Sequence, residues 1–196
     1  MSKALFIIYA AVTTTIAFGY EVAVQEQLYN FVADFREMKP TLFNQTQTWQ
    51  ALRNLLDNGA RFDKNTDINT RHRATGVTML YCAVRAGSLQ TAYYLLDQGA
   101  NPNLQDNILS NSPLHTAAEK GYTDCITKLC AHGANPNAVN REGQTPLHAA
   151  VLSRQTASVT TLLSKKAQKD VRDTYGRKPI DYAKAREYEE LIKLLS

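Results

Sequence analysis

Four histidines, three cysteines and eighteen carboxylates are the side chains from which this chain of 196 residues would have to build a reactive centre. His115 and His148 stand out because they recur in register, and matched imidazoles are the raw material of a metal site. Zinc needs clustered ligands, however, and Cys130 with His132 is the only close pair, with no second pair at finger spacing. His72 and His132 read as exposed loop residues. Cys82, Cys125 and Cys130 form an odd set, and the last two are spaced so that they point apart on one helix, so no disulfide framework is implied. All three read as buried, structural thiols. The carboxylates are scattered, with no pair whose spacing suits acid and base roles. No phosphate-binding glycine loop, nucleophile elbow or His-Glu-x-x-His helix occurs. The expectation is a chain that is not an enzyme, with no cofactor and no resident metal.

The elements that carry these residues repeat. Pro113, Pro146 and Pro179 recur every 33 residues, and Met79 precedes the first of them by 34. Ser112-Pro113-Leu114-His115 and Thr145-Pro146-Leu147-His148 each read as a helix start. The hydroxyl caps, proline suits the first helical position because its missing N–H has no helical partner there, and Leu147 and Ala150 begin a buried stripe. Gly121 closes that first helix. Ile126, Leu129 and Cys130 mark one face of a second, and Gly133 ends it where left-handed backbone is needed. Asn135-Pro136-Asn137 is turn chemistry leading to the next unit. Each unit is a helix pair plus a turn, too small to hide its own apolar face, and must stack on neighbours.

A period of this length with Thr-Pro-Leu-His and its looser copies resembles the ankyrin repeat, over roughly residues 38–196. The resemblance implies an all-α fold, an ankyrin-repeat solenoid of about five helix-pair units. It also implies that His115 and His148 bond the backbone or their capping Ser112 and Thr145 and are structural. The expected organisation is an N-terminal helical cap unit at 20–60, an extended inter-repeat loop or finger at 61–77, three central repeats at 78–172, and a C-terminal capping repeat at 173–196. Val24, Leu28, Phe31, Val32 and Phe35 recur at helical spacing in the first cap. The loop rests on a count: Gly59 to Met79 is seven residues longer than Gly133 to Pro146. A second irregularity, Asp106 to Asn111, carries one extra residue and exposes either Ile108 or Leu109.

Ahead of the repeats, residues 1–19 combine Lys3, an apolar run from Ala4 to Phe18, and the small residues Ala17 and Gly19. This is the shape of a secretory signal peptide cleaved after Gly19, and the run is shorter than the ~20 residues of a membrane span. The expected destination is therefore export, to a periplasm or beyond the cell, with no stable membrane anchor once the signal is removed. A net charge of +4 is too small an excess to imply nucleic acid.

In ankyrin proteins the turn tips and the exposed side of each first helix build a concave face for protein partners. The resemblance places that role on Arg85 in the second unit and on Asn107, Ile108, Glu119 and Lys120 in the third. It continues on Arg141, Glu142, Gln144 and Leu152 in the fourth and on Thr174, Tyr175 and Arg177 in the last. Arg71, His72 and Arg73 join them from the inserted loop, since insertions in solenoids map to one face. The leading expectation is an exported, non-catalytic module that binds one protein partner as inhibitor, immunity protein or adaptor. Two alternatives are an effector acting on a host-cell protein and a periplasmic protein supporting an oxidative-stress enzyme.

Overall fold

The computed structural model describes residues 23, 26–28, 30–36, 52–54, 57–58, 60, 62 and 67–196. The expected signal peptide lies outside the described residues, as do residues 61 and 63–66 of the expected loop. Eight helices run in pairs: α1 (Met79–Arg85) with α2 (Leu89–Asp97), α3 (Pro113–Lys120) with α4 (Thr123–Ala131), α5 (Pro146–Leu152) with α6 (Thr156–Ser164), and α7 (Pro179–Ala185) with α8 (Glu189–Leu195). Helical residues at 26–28, 30–36 and 52–54 precede them, and Leu28, Val32, Phe35 and Leu52 turn inward there. No strand occurs among the described residues beyond one isolated bridge between Arg71 and Thr78. The fold is an all-α solenoid.

Each first helix begins as its residues dictate. Ser112 and Thr145 hold extended backbone, and their hydroxyls accept the N–H groups of His115 and His148. The histidines return the bond. Nδ1 of His115 accepts the Ser112 N–H at 3.2 Å, and Nδ1 of His148 accepts the Thr145 N–H at 3.1 Å. This is a capping box with imidazole in the place usually held by glutamate. With Nδ1 accepting, the ring proton resides on Nε2, which donates to the next unit: His115 to the Gln144 carbonyl at 3.0 Å and His148 to the Arg177 carbonyl at 3.2 Å. Both rings are structural, as the resemblance implies.

The first helices α1, α3, α5 and α7 stack in one layer and the second helices α2, α4, α6 and α8 in another. Ala83, Ala117, Ala118, Ala150 and Ala183 are fully buried, and their small side chains let neighbouring units approach closely. Leu95, Ile126, Leu129, Val159 and Leu162 fill the space between the layers. Gly99 and Gly133 end α2 and α4 with positive φ, and Lys166 takes the same left-handed turn after α6 at φ 66°.

The connecting turns are built by Asx side chains. Asp67, Asn101 and Asn135 each accept the N–H two residues on, at 2.9 Å. Asn69, Asn103 and Asn137 then reach forward to accept the N–H of Asn101, Asn135 and Gln168 in the following unit. This equivalence changes the picture of the insertion. Ala60 is buried like Ala100 and Ala134, and residues 67–69 already occupy an ordinary unit's turn. Residues 67–72 therefore match an ordinary unit's turn, and of the seven additional residues six precede Asp67 and one falls between His72 and Met79, where the His72 N–H bonds the Val77 carbonyl across the same span as Asp106 and Asn111.

His72 corrects a second expectation. It is only 4 % exposed, lies edge-on to Phe35 with ring centroids 6.4 Å apart, and shares a 2.8 Å hydrogen bond with the Thr75 hydroxyl. It occupies the turn position held by Asp106, Asn140 and Asp173 elsewhere, where a side-chain acceptor organises the turn's N–H groups. His72 accepts the Thr75 N–H in the same manner, so it organises the turn from inside the fold and is not the exposed loop residue expected. His132 does lie at the surface, 3.2 Å from Asp97.

Candidate protein-binding surface

The tips of successive turns meet edge to edge. The N–H of Arg73 bonds the Arg36 carbonyl at 3.0 Å, that of Asn107 the Thr75 carbonyl at 2.8 Å, that of Arg141 the Leu109 carbonyl at 2.8 Å and that of Thr174 the Glu142 carbonyl at 2.9 Å. Four tips, and the helix end at Arg36 before them, are thereby joined into one ladder whose backbone groups bond each other and whose side chains point outward. A scaffold of this kind presents side chains at low ordering cost, because the backbone is already fixed.

The anchor beneath each tip is a buried or half-buried acceptor. Asp106 accepts the N–H groups of Ile108 and Leu109 at 2.7 Å and that of Asn111 at 3.0 Å. Asn140 holds Glu142 and Gln144 in the same way. Asp173 holds Tyr175 and Arg177, and it also accepts the Tyr182 hydroxyl. Burial by itself would raise the Asp173 carboxyl; the Tyr182 bond, the two backbone N–H groups and the nearby Arg177 outweigh it and hold the carboxyl below the usual range.

These anchors push apolar side chains into solvent. Ile108 is 57 % exposed, Leu109 45 % and Tyr175 69 %, and all three sit on turn tips. Both members of the Ile108-Leu109 pair are exposed, because Asp106 captures both of their N–H groups and the added residue lets the turn bulge with Ser110 at φ 58°. Behind them the tip and the inner helix enclose a cleft of about 330 Å³. It is lined by Val77, Tyr81, Arg85, Ile108 and Leu109 among others. Tyr81 stands where the next two units have His115 and His148 and the last has Asp181, and burial raises its phenol pKa. Its part in the cleft was missed from sequence; the departure from Pro-Leu-His was the signal.

The remaining sequence-predicted residues divide into two groups. Arg85, Glu119 and Leu152 occupy equivalent positions at the ends of α1, α3 and α5; Arg85 lines the cleft behind the Ile108-Leu109 tip, and Glu119 forms a solvated pair with Lys120 at 3.4 Å. Others tie the units together. Arg71 donates to the Gln105 carbonyl and the Asn107 side chain, Arg141 to the Ile108 carbonyl at 2.6 Å, and Gln144 is half-buried with its carbonyl occupied by His115. Arg177 lies over Tyr175 at 4.7 Å and over Tyr182 at 4.3 Å, which stiffens the exposed Tyr175 ring.

The thiols take no part in this surface. Burial pushes Cys125 up to about 12 and raises Cys82 and Cys130 as well, which keeps them in the unreactive thiol form. Among the described residues no group of three or more His, Cys, Asp or Glu side chains is placed to hold a metal ion. No helix among them is long and apolar enough to cross a membrane.

A family model described as "Ankyrin repeats (3 copies)" matches residues 114–196, and one described as "Ankyrin repeat" matches residues 75–107. The chain belongs to the ankyrin-repeat family. The chain is 34 % identical over 138 residues to the putative ankyrin repeat protein FPV031 of fowlpox virus, which covers 67 % of this chain and 40 % of that protein. It is 34 % identical over 143 residues to the human neurogenic locus notch homolog protein 4, covering 66 % of this chain and 7 % of the relative. The human SH3 and multiple ankyrin repeat domains protein 1 is 32 % identical over 110 residues, covering 56 % of this chain and 5 % of the relative. The chain therefore spans less than half the length of these relatives. Ankyrin repeats are protein-interaction modules, and this ankyrin-repeat chain carries the linked tips and inner-helix positions of such a module.

Proposed function

We propose that this ankyrin-repeat protein is an exported, non-catalytic binding module that recognises one protein partner through its turn tips and the facing ends of its first helices, as an inhibitor, immunity protein or adaptor. The observation that carries the reading is the exposure of Ile108, Leu109 and Tyr175 on tips fixed from below by Asp106 and Asp173. Rigidly held aromatic and aliphatic side chains in water are what binding hot spots are made from. The export reading rests on the signal-like segment at 1–19.

Two measurements test it. A tagged chain purified from the producing cells should retain a stoichiometric protein, and Ile108→Asp with Tyr175→Ser should release that protein without lowering the melting temperature. Retention unaltered in the double variant overturns the assignment of the surface. Terminal sequencing of chain recovered outside the cytoplasm should find Tyr20 first; an intact Met1 on all recovered chain overturns the reading of residues 1–19 as a cleaved signal, and absence of the chain from that fraction overturns export.

A further inference from the structure

The cleft behind Ile108 and Leu109 is chemically asymmetric. Val77, Tyr81, Ile108 and Leu109 give it an apolar wall, and Arg85 stands at its end on the last turn of α1. No carboxylate pairs with Arg85 among the described residues, and the guanidinium is exposed. The one carboxylate in the lining, Asp106, is buried and already accepts three backbone N–H groups. It organises the turn and leaves Arg85 uncompensated. Arg71 adds positive charge at the rim, where its guanidinium is fixed to neutral acceptors, the Gln105 carbonyl and the Asn107 amide oxygen, and is not neutralised.

From this we infer that the cleft is the docking site for an acidic, apolar-anchored segment of a partner protein: one large aliphatic or aromatic side chain enters between Tyr81 and Ile108, and an Asp or Glu close to it in sequence pairs with Arg85. This rests on the reading of the tips as a protein-binding face and adds the chemistry of the ligand. A space of about 330 Å³ is at the lower end of the range of ligand pockets, suited to one or two inserted side chains and too small for a folded element. The apolar wall separates this occupant from a nucleic acid or an anionic membrane surface, which would need a field of cations rather than one arginine beside a greasy slot. The exposed guanidinium of Arg85 at the end of an apolar slot offers a bidentate fork to a carboxylate.

The probe is a phage-displayed library of random 12-residue peptides, panned against the full chain. Enriched sequences should place Asp or Glu within three residues of Phe, Leu, Ile or Trp. Synthetic versions should bind with affinity that falls at least tenfold for Arg85→Glu and at least tenfold for Leu109→Asp, both variants keeping the wild-type melting temperature. A peptide with its acidic residue changed to Lys should bind Arg85→Glu better than it binds the wild type. Enrichment of basic or uncharged peptides, binding insensitive to both variants, or no enrichment at all overturns the inference. Peptides that are lost with Tyr175→Ser but not with Arg85→Glu overturn it too, yet leave the protein-binding reading of the tips standing. Tight binding of a 20-nucleotide single strand or of phosphatidylserine vesicles that is abolished by Arg85→Glu assigns the arginine to a different class of partner and overturns it equally.

Discussion

His115 and His148 use both ring nitrogens inside the fold, and burial favours the neutral form of each. Burial is the main cause that lowers His115 to about 4 and pushes His148 down as well, opposed in each by the carbonyl it meets on Nε2, Gln144 or Arg177. An unfolded histidine titrates near 6.5, so between that pH and about 4 the unfolded chain takes up protons that the folded chain refuses. The stabilisation is fully present above pH 6.5 and is lost as pH falls toward 4, on the order of 3 kcal/mol for His115 alone. Urea unfolding at a series of pH values across this window should show the decline, and a flat profile above pH 5 contradicts the tautomer assigned here. The Asp173 carboxyl, held below its usual range, contributes its own loss only under more acidic conditions. Ser158 gives the opposite case: its hydroxyl is fully buried with no hydrogen-bond partner. Ser158→Ala removes that unsatisfied group and should raise stability by about 0.5–1 kcal/mol, read as a higher urea midpoint at unchanged slope.

At the scale of elements, the turns decide what each unit presents. Gly143 has φ 72°, and a Cβ built there would lie 2.9 Å from the Thr174 nitrogen and 3.1 Å from the Asp173 Cα, both backbone atoms that cannot swing aside. Gly133 has a similar φ of 85° but open space around it. Gly143→Ala should therefore cost about 2 kcal/mol or more, against about 1 kcal/mol for Gly133→Ala, where only the left-handed backbone is penalised. Equal costs in thermal melts of the two variants would mean that the Gly143 tip does not touch the following turn. The helix starts and stops were legible because they depend on neighbours within four residues: Ser112 to His115, Gly121, Gly133. What was not legible depends on distant partners. His72 is buried because Phe35, far earlier in the chain, covers it, and nothing in Arg71-His72-Arg73 announces that contact. The insertion was countable from glycine spacing, but its position within 61–77 emerged only when Asn69 proved to bond Asn101 as Asn103 bonds Asn135.

The whole molecule is close to one-dimensional, since α3 packs on α1 and α5, α5 on α3 and α7, and each unit's two helices on each other. Its stability is then a sum of unit terms and interfaces between neighbours, and a lesion is felt according to how many interfaces it touches. The repeat count and register could be read from Pro113, Pro146 and Pro179, and Arg85 and Ile108 as face residues, whereas the cleft could not, because it forms only where the fold brings Tyr81 and Arg85 against Ile108 and Leu109. Ala118 and Ala183 are both fully buried on first helices, but Ala118 lies on α3, which packs on α1 and α5, and Ala183 on α7, which among the described elements packs on α5 and α8. Ala118→Asp buries an unpaired carboxylate in the middle of the stack and should cost several kcal/mol. The expected result is not only a lower midpoint but a broadened denaturation curve, as units on either side of α3 lose their coupling and unfold separately. Ala183→Asp should instead release the α7–α8 unit alone, so that amides of α7 and α8 exchange rapidly while those of α3 and α5 stay protected. Hydrogen exchange resolved by peptide distinguishes the two outcomes. Uniform loss of protection along the chain in Ala183→Asp would show that the units melt as one block and that the nearest-neighbour description does not hold for this solenoid.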